Sequence, residues 1–232
     1  MNAWLSNAND WNLSRSRFWG IPLPIWRTED SKETIIIGSI EELKCEITKS
    51  ISLGFMKVDP FDSFQVDDMS DLNYAQIDLH KNIVDQIILS SKNKKRMYRE
   101  PDLIDVWFDS GSMPYAQWHY PFENKEMIDD NIAFPADYIA EGVDQTRGWF
   151  YTLHAISSMV FESISYKNVI SNGLVLDKNG QKMSKRLGNV VDPFKTIEKF
   201  GPDATRWYMI SNANPWDNLK FDIDGIEESK RK

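Results

Sequence analysis

Ala136-Asp137-Tyr138-Ile139-Ala140-Glu141-Gly142-Val143-Asp144-Gln145-Thr146-Arg147-Gly148-Trp149-Phe150 is the stretch that decides the fold class. Ala136 to Ala140 reads as a short buried strand and Glu141 to Gln145 as a tight polar turn. Trp149, Leu153, Ile156 and Val160 then recur at spacings of four, three and four, which is one apolar face of a helix. Strand, turn and helix in that order form the unit of an open α/β sheet, and such sheets hold ligands outside the carboxyl ends of their strands. The polar residues at that point are therefore site candidates. A carboxylate at Glu141 suits an ammonium, Asp144 suits ribose hydroxyls, and Gly142 leaves space beside the backbone. An Asp N-cap beside a turn glycine explains the same residues without a ligand, and spacing alone does not separate the two.

Working outward, Val169 to Leu176 is an apolar run that reads as a second buried strand. It leads into Asn179-Gly180-Gln181-Lys182-Met183-Ser184-Lys185-Arg186-Leu187-Gly188-Asn189, and then into Asp192-Pro193, an N-cap and first-turn proline. Two lysines three apart, in a small polar loop followed by a helix start, suit a polyphosphate: lysine brings point charges on flexible stems, and a helix end brings N–H groups. A solvated basic loop is the alternative. With a third strand near Val106, the expectation is a parallel sheet with strands near Val106, Tyr138 and Leu174, capped by the helix through Trp149. Beyond it, Phe194, Ile197 and Phe200 share a helix face, Gly201 stops that helix, Thr205 to Ser211 continue helically, and Asn218 to Ile223 is strand-like.

Upstream, Ser39 and Glu42 form a capping box. Ile40, Leu43, Ile47 and Ile51 follow at helical spacing, with Cys45 as packing. Ile87 to Ser90 and Arg96 to Arg99 flank a hairpin turn. Its Lys92, Lys94, Lys95, Arg96 and Arg99 form a basic cluster, read either as a solvated tip or as a contact for RNA backbone. Together these make a small α+β module over 31–100. Before it, Trp11, Ser14, Arg15, Ser16, Arg17 and Trp19 lead into Pro22 and Pro24, an extended basic and aromatic segment. In Asp102 to Met113, Val106 to Phe108 reads as strand and Asp109 to Ser112 as turn, with Asp105 and Asp109 in capping and turn roles rather than acid–base work. His80 stands alone and is structural.

Composition bounds the alternatives. A net charge of −8 over 232 residues argues against nucleic-acid binding by bulk charge. One cysteine allows no internal disulfide and no cysteine zinc site, and fits a reducing cytoplasm. No run of 18 apolar residues exists, so no membrane partner is expected. The P-loop pattern is absent.

Four stretches carry a resemblance. They are Trp11 to Pro22 (Trp-x-Leu-Ser-Arg-x-Arg-x-Trp-Gly-x-Pro), Asp105 to Gly111 (Asp-Val-Trp-Phe-Asp-Ser-Gly), Glu141 to Phe150, and Lys182 to Arg186 (Lys-Met-Ser-Lys-Arg). In this order they resemble the class I aminoacyl-tRNA synthetases, and most closely the isoleucyl branch; the valyl and leucyl branches differ across Glu141 to Phe150. The resemblance implies a Rossmann-like (HUP-type) α/β fold, of which this chain covers the second half. The implied division is a segment after the editing insertion (1–30), a connective insertion (31–100), the second half of the catalytic domain (101–200) and the start of a helical stem-contact region (201–232). The family's His-x-Gly-His motif is absent from all 232 residues, so a fragment is expected.

The implied substrates are isoleucine, ATP with Mg2+, and tRNA(Ile), with no zinc or other metal site in this chain and the remainder of the synthetase as partner. Lys182 and Lys185 match the catalytic lysines that meet ATP phosphates, while Arg186 stands where many bacterial members carry serine. Glu141, Gly142, Asp144 and Gln145 match the adenylate-binding turn, Asn172 falls at an adenine-side position, and Trp107 and Trp149 match aromatics of the amino-acid pocket. Ser14, Arg15 and Arg17 fall at the junction with the editing domain. A non-catalytic nucleotide- or tRNA-binding module, or a valyl or leucyl relative, is the competing reading.

Overall fold

The computed structural model describes residues 5–7 and 9–231. It divides into two compact units, one running through Asp109 and the other from Ser110 onward.

In the first unit the elements are β1 (Ser14–Arg15), β2 (Ile25–Thr28), β3 (Thr34–Ile36), α1 (Ile40–Ser52), α2 (Asp71–Tyr74), α3 (Lys81–Val84), β4 (Leu89–Ser90), β5 (Arg96–Arg99) and β6 (Leu103–Ile104). An antiparallel sheet of order β3-β2-β5-β4 forms its centre. α1 starts as its sequence requires: the Glu42 N–H donates to Ser39 Oγ at 3.1 Å, and the Glu42 carboxylate reaches back to the Gly38 N–H at 2.7 Å. Leu43 and Ile47 are buried, with Ile40 and Ile51 packed against the same cluster of Trp26, Phe61, Ile87, Leu89 and Met97. The Trp26 indole donates to the Ile87 carbonyl at 2.9 Å, so its polar edge is satisfied inside the core.

Several expectations need correction here. β2 pairs with both β3 and β5, so the small α+β module takes in Ile25–Thr28 and begins before residue 31. Cys45 does not pack; it is exposed on the outer face of α1. The basic cluster is not one surface. Arg99 is buried, its guanidinium on Asp85 and on the carbonyls of Leu23 and Asp102. Lys95 pairs with Asp30 at 2.9 Å, and Arg96 lies over the Phe55 ring at 5.2 Å. Charge placed on a strand that alternates in and out sends every second residue inward.

Val106 to Phe108 is not a strand but the start of a helix, α4 (Val106–Ala116), so no sheet strand forms there. Aromatic and β-branched residues favour strands in general, yet Asp105 overrides them: its carbonyl accepts from the Phe108 N–H at 2.8 Å and its carboxylate from the Trp107 N–H at 3.4 Å, which is a capped helix start.

The second unit continues with α5 (Lys125–Asp129), β7 (Ile139–Gly142), a 3-10 turn at Val143–Arg147, α6 (Trp149–Phe161), β8 (Val169–Asn172), β9 (Val175–Leu176), a second 3-10 turn at Lys185–Leu187, α7 (Pro193–Phe200), α8 (Pro202–Ser211), β10 (Leu219–Lys220) and α9 (Ile223–Arg231). β7 and β8 are parallel, as are β9 and β10. The run 169–176 is therefore two strands in two sheets, broken at Gly173-Leu174, and Tyr138 and Leu174 do not share a sheet. The break has a cause in packing: a Cβ on Gly173 would stand 2.0 Å from the Asp217 carbonyl oxygen. The strand gives up its ladder there and hydrogen-bonds instead to the Pro215 carbonyl and the Asn218 side chain, both at 2.8 Å.

Nor is the run buried, since Val169 and Ile170 are nearly half exposed. On α6, Leu153 and Ile156 are buried as the spacing requires, but Val160 is exposed and Phe150 takes its place against Ile139. On α7 Phe200 is buried, whereas Phe194 is 81% exposed. Gly111 of α4 permits close contact with α6, where a Cβ would meet Ile156 Cδ1 at 2.7 Å. Phe200, Tyr208, Leu219 and Ile226 make a separate small core under α7, α8 and α9.

Candidate nucleotide and phosphate site

The register of β7 against β8 sets Glu141 beside Ser171 and Gly142 beside Asn172. Three of the residues singled out in the sequence thus share one edge, at the carboxyl ends of two parallel strands, where open α/β sheets hold ligands. Glu141 is exposed there. The turn that follows is internally bonded. Asp144 Oδ2 accepts from Gln145 Nε2 at 3.2 Å, and Gln145 Oε1 accepts from the Trp149 N–H at 3.1 Å. Gln145 thereby caps α6, a role its sequence position did not suggest. Space beside Gly142 is taken as well: a Cβ would lie 2.6 Å from Asp144 Oδ1, so the glycine admits its own neighbour's carboxylate. Trp149 is fixed by its indole N–H on the Ser110 carbonyl at 2.9 Å. Trp107 lies in the first turn of α4, in the other compact unit, and is partly exposed.

The lysine loop is built on two residues that sequence reasoning passed over. Asp177, nearly fully buried, accepts from the N–H groups of Asn179 and Gln181 at 2.9 and 2.8 Å and from the Asn189 side-chain amide at 2.8 Å. These donors hold its carboxyl below the usual aspartate range, the Asn189 amide foremost. The other end of Asn189 accepts from the Ser184 N–H at 2.9 Å. Ser184 Oγ caps the 3-10 turn at the Leu187 N–H, and Gly188 closes it with φ +65°. Lys182, Lys185 and Arg186 project from this frame as exposed side chains. The signal for Asp177 was present: Asp-x-Asn-Gly is a turn-forming pattern whose first carboxylate bonds to N–H groups ahead of it.

Of the basic segment, Arg15 is committed elsewhere. Arg15 Nη2 and the Trp11 indole both donate to Asp105 Oδ2, at 2.7 and 2.9 Å, and so tie β1 and the segment before it to the residue after β6. These two donors satisfy the Asp105 carboxylate where it is buried. Asp109, by contrast, has its carboxyl pushed up by burial and by the Asp105 charge. Among the described residues no three His, Cys, Asp or Glu side chains gather closely enough to hold a metal ion, and no helix is long and apolar enough to cross a membrane.

The family described as tRNA synthetases class I (I, L, M and V) matches residues 1–222. An isoleucine–tRNA ligase of Bacteroides fragilis is 67% identical over 231 residues, covering 99% of this chain and 20% of that protein. One from Thermus thermophilus is 46% identical over 228 residues, with 98% and 20% covered. The chain thus spans about a fifth of the length of these relatives. Among solved structures, a LeuRS–tRNA–LeuAMS ternary complex from Agrobacterium radiobacter K84 superposes with a TM-score of 0.65 at 22% identity, covering 96% of this chain and 26% of that one; this is a likeness of fold.

Proposed function

The chain belongs to the class I tRNA synthetases of the I, L, M and V group, and from that premise we propose that it forms the second half of the catalytic domain of an isoleucine–tRNA ligase. The reading is supported by β7 and β8, whose carboxyl ends carry Glu141, Gly142 and Asn172 side by side, the position at which open α/β sheets hold ligands. The division of the chain into a connective module, a Rossmann-like half and the start of a stem-contact region is part of the same proposal.

In the proposed reaction the isoleucine carboxylate attacks the α-phosphorus of ATP. Pyrophosphate leaves, and the aminoacyl group then passes from the adenylate to tRNA(Ile). The chemistry asks for position and for charge on the phosphate oxygens. Lys182 and Lys185 supply that charge from the loop, and their exposure lets them reach a ligand. Glu141 takes the isoleucine ammonium or the adenylate, Asp144 and Gln145 shape the turn beneath it, Asn172 lies on the adenine side, and Trp149 meets the amino-acid side chain. Mg2+ arrives with ATP, and no step is assigned to it on these residues.

The test uses the B. fragilis ligase with this chain grafted in place of its matching 231 residues. The graft should catalyse isoleucine-dependent ATP–pyrophosphate exchange. Lys185→Ala should slow that exchange by about 2.7–4 kcal/mol, the cost of losing one charge-stabilising donor, with isoleucine affinity little changed. Exchange within twofold of the unsubstituted graft would remove Lys185 from the mechanism.

A further inference from the structure

Lys182 and Lys185 owe their placement to side chains that carry no positive charge. Four observations converge on the base of their loop. The carboxylate of Asp177 gathers two backbone N–H groups from the outgoing arm, Asn179 and Gln181. The amide of Asn189, on the returning arm, donates to the same carboxylate at 2.8 Å and to the Lys182 carbonyl at 3.3 Å. The oxygen of that amide takes the Ser184 N–H at 2.9 Å, at the head of the 3-10 turn that carries Lys185. The Lys182 backbone also bridges to Leu176 at the end of β9. One contact between two side chains twelve residues apart therefore fixes the backbone at both lysines and anchors it to the strand.

We propose that Asp177 and Asn189 form a clasp whose function is to position Lys182 and Lys185 for the phosphates. The proposal rests on the synthetase reading above. The two residues are positioning residues, since neither faces outward from the loop; Asp177 is buried and Asn189 half-buried. The physical requirement is that a charge stabilising a transition state must already be in place, because reorganising it during reaction forfeits most of its effect. Lysine side chains on a loop gain that order only from the backbone beneath them.

The polarity of the clasp makes it testable by exchange of its ends. In Asp177→Asn, an amide NH2 faces the Asn189 NH2, donor against donor. In Asn189→Asp, two carboxylate oxygens face one another. In the double variant the amide stands at position 177 and the carboxylate at position 189. The central hydrogen bond returns with its direction reversed, an oxygen at 177 still accepts from Asn179 and Gln181, an oxygen at 189 still accepts from Ser184, and only the longer bond to the Lys182 carbonyl is not restored. Net charge is that of the parent.

The experiment measures isoleucine-dependent pyrophosphate exchange in the grafted ligase, together with the rate of tryptic cleavage after Lys182 and Lys185 followed by peptide mass. Each single variant should lower kcat by about tenfold, with KM for isoleucine within about twofold, and should speed cleavage in the loop. The double variant should recover most of both, as coupled neighbours do. A pair acting only through its charge on the lysines gives a different pattern, because the two single variants change net charge in opposite directions and would move kcat in opposite directions. That pattern, or a double variant no better than the worse single one, overturns the clasp. If the unsubstituted graft itself lacks exchange, the synthetase reading fails, and the tryptic arm still decides whether the clasp holds the loop.

Discussion

The two units of this chain solve the same problem in opposite ways. The first packs a four-stranded antiparallel sheet against α1 and encloses ten buried apolar residues in one cluster. The second carries the candidate site on parallel strands of two to four residues, with Val169, Ile170 and Val175 each at least 40% exposed. Antiparallel strands are joined by short turns and can bury one face against a single helix. Parallel strands need crossovers and normally cover both faces. The contrast is one of packing: apart from Trp107 the site candidates lie in the second unit, and the lysine loop and strand edge sit where few apolar groups are enclosed.

The sharpest way to break this contrast is to truncate one apolar side chain in each unit, buried in the first and half exposed in the second. Phe61 is 1% exposed in the module and Val169 is 47% exposed on β8. Phe61→Ala should cost about 3–5 kcal/mol, whereas Val169→Ala should stay within about 0.5 kcal/mol. Amide exchange resolved by segment reads each unit separately, which a single melting curve does not. Similar losses at the two positions would mean that the second unit has a core as cohesive as the first.

Next in size is Gly173→Ala. Its Cβ would meet the Asp217 carbonyl oxygen at 2.0 Å, a backbone atom that moves only with its chain. The expected cost is about 1–3 kcal/mol, seen as faster exchange at Leu219 and Phe221, whose N–H groups bond to the Leu174 and Leu176 carbonyls. Unchanged protection there would show that β9 and β10 do not depend on this approach.

The same contrast governs what the sequence could reveal. In the module, local signals and tertiary packing agree: Ser39 and Glu42 start a helix, Leu43 and Ile47 bury it, and a turn joins β4 to β5. The strand–turn–helix order up to Phe161 was likewise legible, but the strand runs on into Glu141 and Gly142, which were read as turn, and Asn172 ends its strand only because the run breaks at Gly173. What escaped was set by contacts distant in sequence. Val106 to Phe108 became helix because Asp105 caps it, a role compatible with holding Trp11 and Arg15 some 90 residues away. The apolar run at 169–176 broke because Gly173 meets Asp217. Arg99 turned inward because its strand register and Asp85 required it. Asp-x-Asn-Gly marks Asp177 as a turn residue, but its bond to Asn189 was hidden, since a polar pair twelve apart has no periodic signature.

A matched pair of helix caps sharpens the comparison at smaller scale. Ser39 Oγ accepts from the Glu42 N–H at 3.1 Å, and Ser184 Oγ accepts from the Leu187 N–H at 3.2 Å, each three residues on. Ser39→Ala should cost about 1 kcal/mol of module stability. Ser184→Ala removes the same bond from a three-residue 3-10 turn with no buried residue. Its effect should leave unfolding unchanged and instead speed tryptic cleavage after Lys185. A fall in global stability matching that of Ser39→Ala would contradict the division of roles.

The smallest effect concerns two carboxylates, one in each unit, with opposite responses to pH. Asp177 is held low by the Asn189 amide and by backbone N–H groups. Its folded pKa lies below the unfolded value, so its contribution is present above about pH 4, the unfolded aspartate value, and is lost as pH falls through the folded pKa. Asp109 is pushed up by burial and by Asp105. Its contribution is complete below the unfolded pKa and is lost as pH rises through the folded pKa, so its ionised form opposes folding at neutral pH. Asp109→Asn should therefore make the first unit slightly more stable than the parent at pH 7, with the difference closing towards pH 4. Asp177→Asn should loosen the lysine loop at pH 7 and approach the parent as the pH falls below 4. The check is segment-resolved exchange at several pH values, corrected for intrinsic amide rates. If both variants shift stability in the same direction at pH 7, the pairing of Asp109 with Asp105, or that of Asp177 with Asn189, is not the electrostatic contact that the geometry describes.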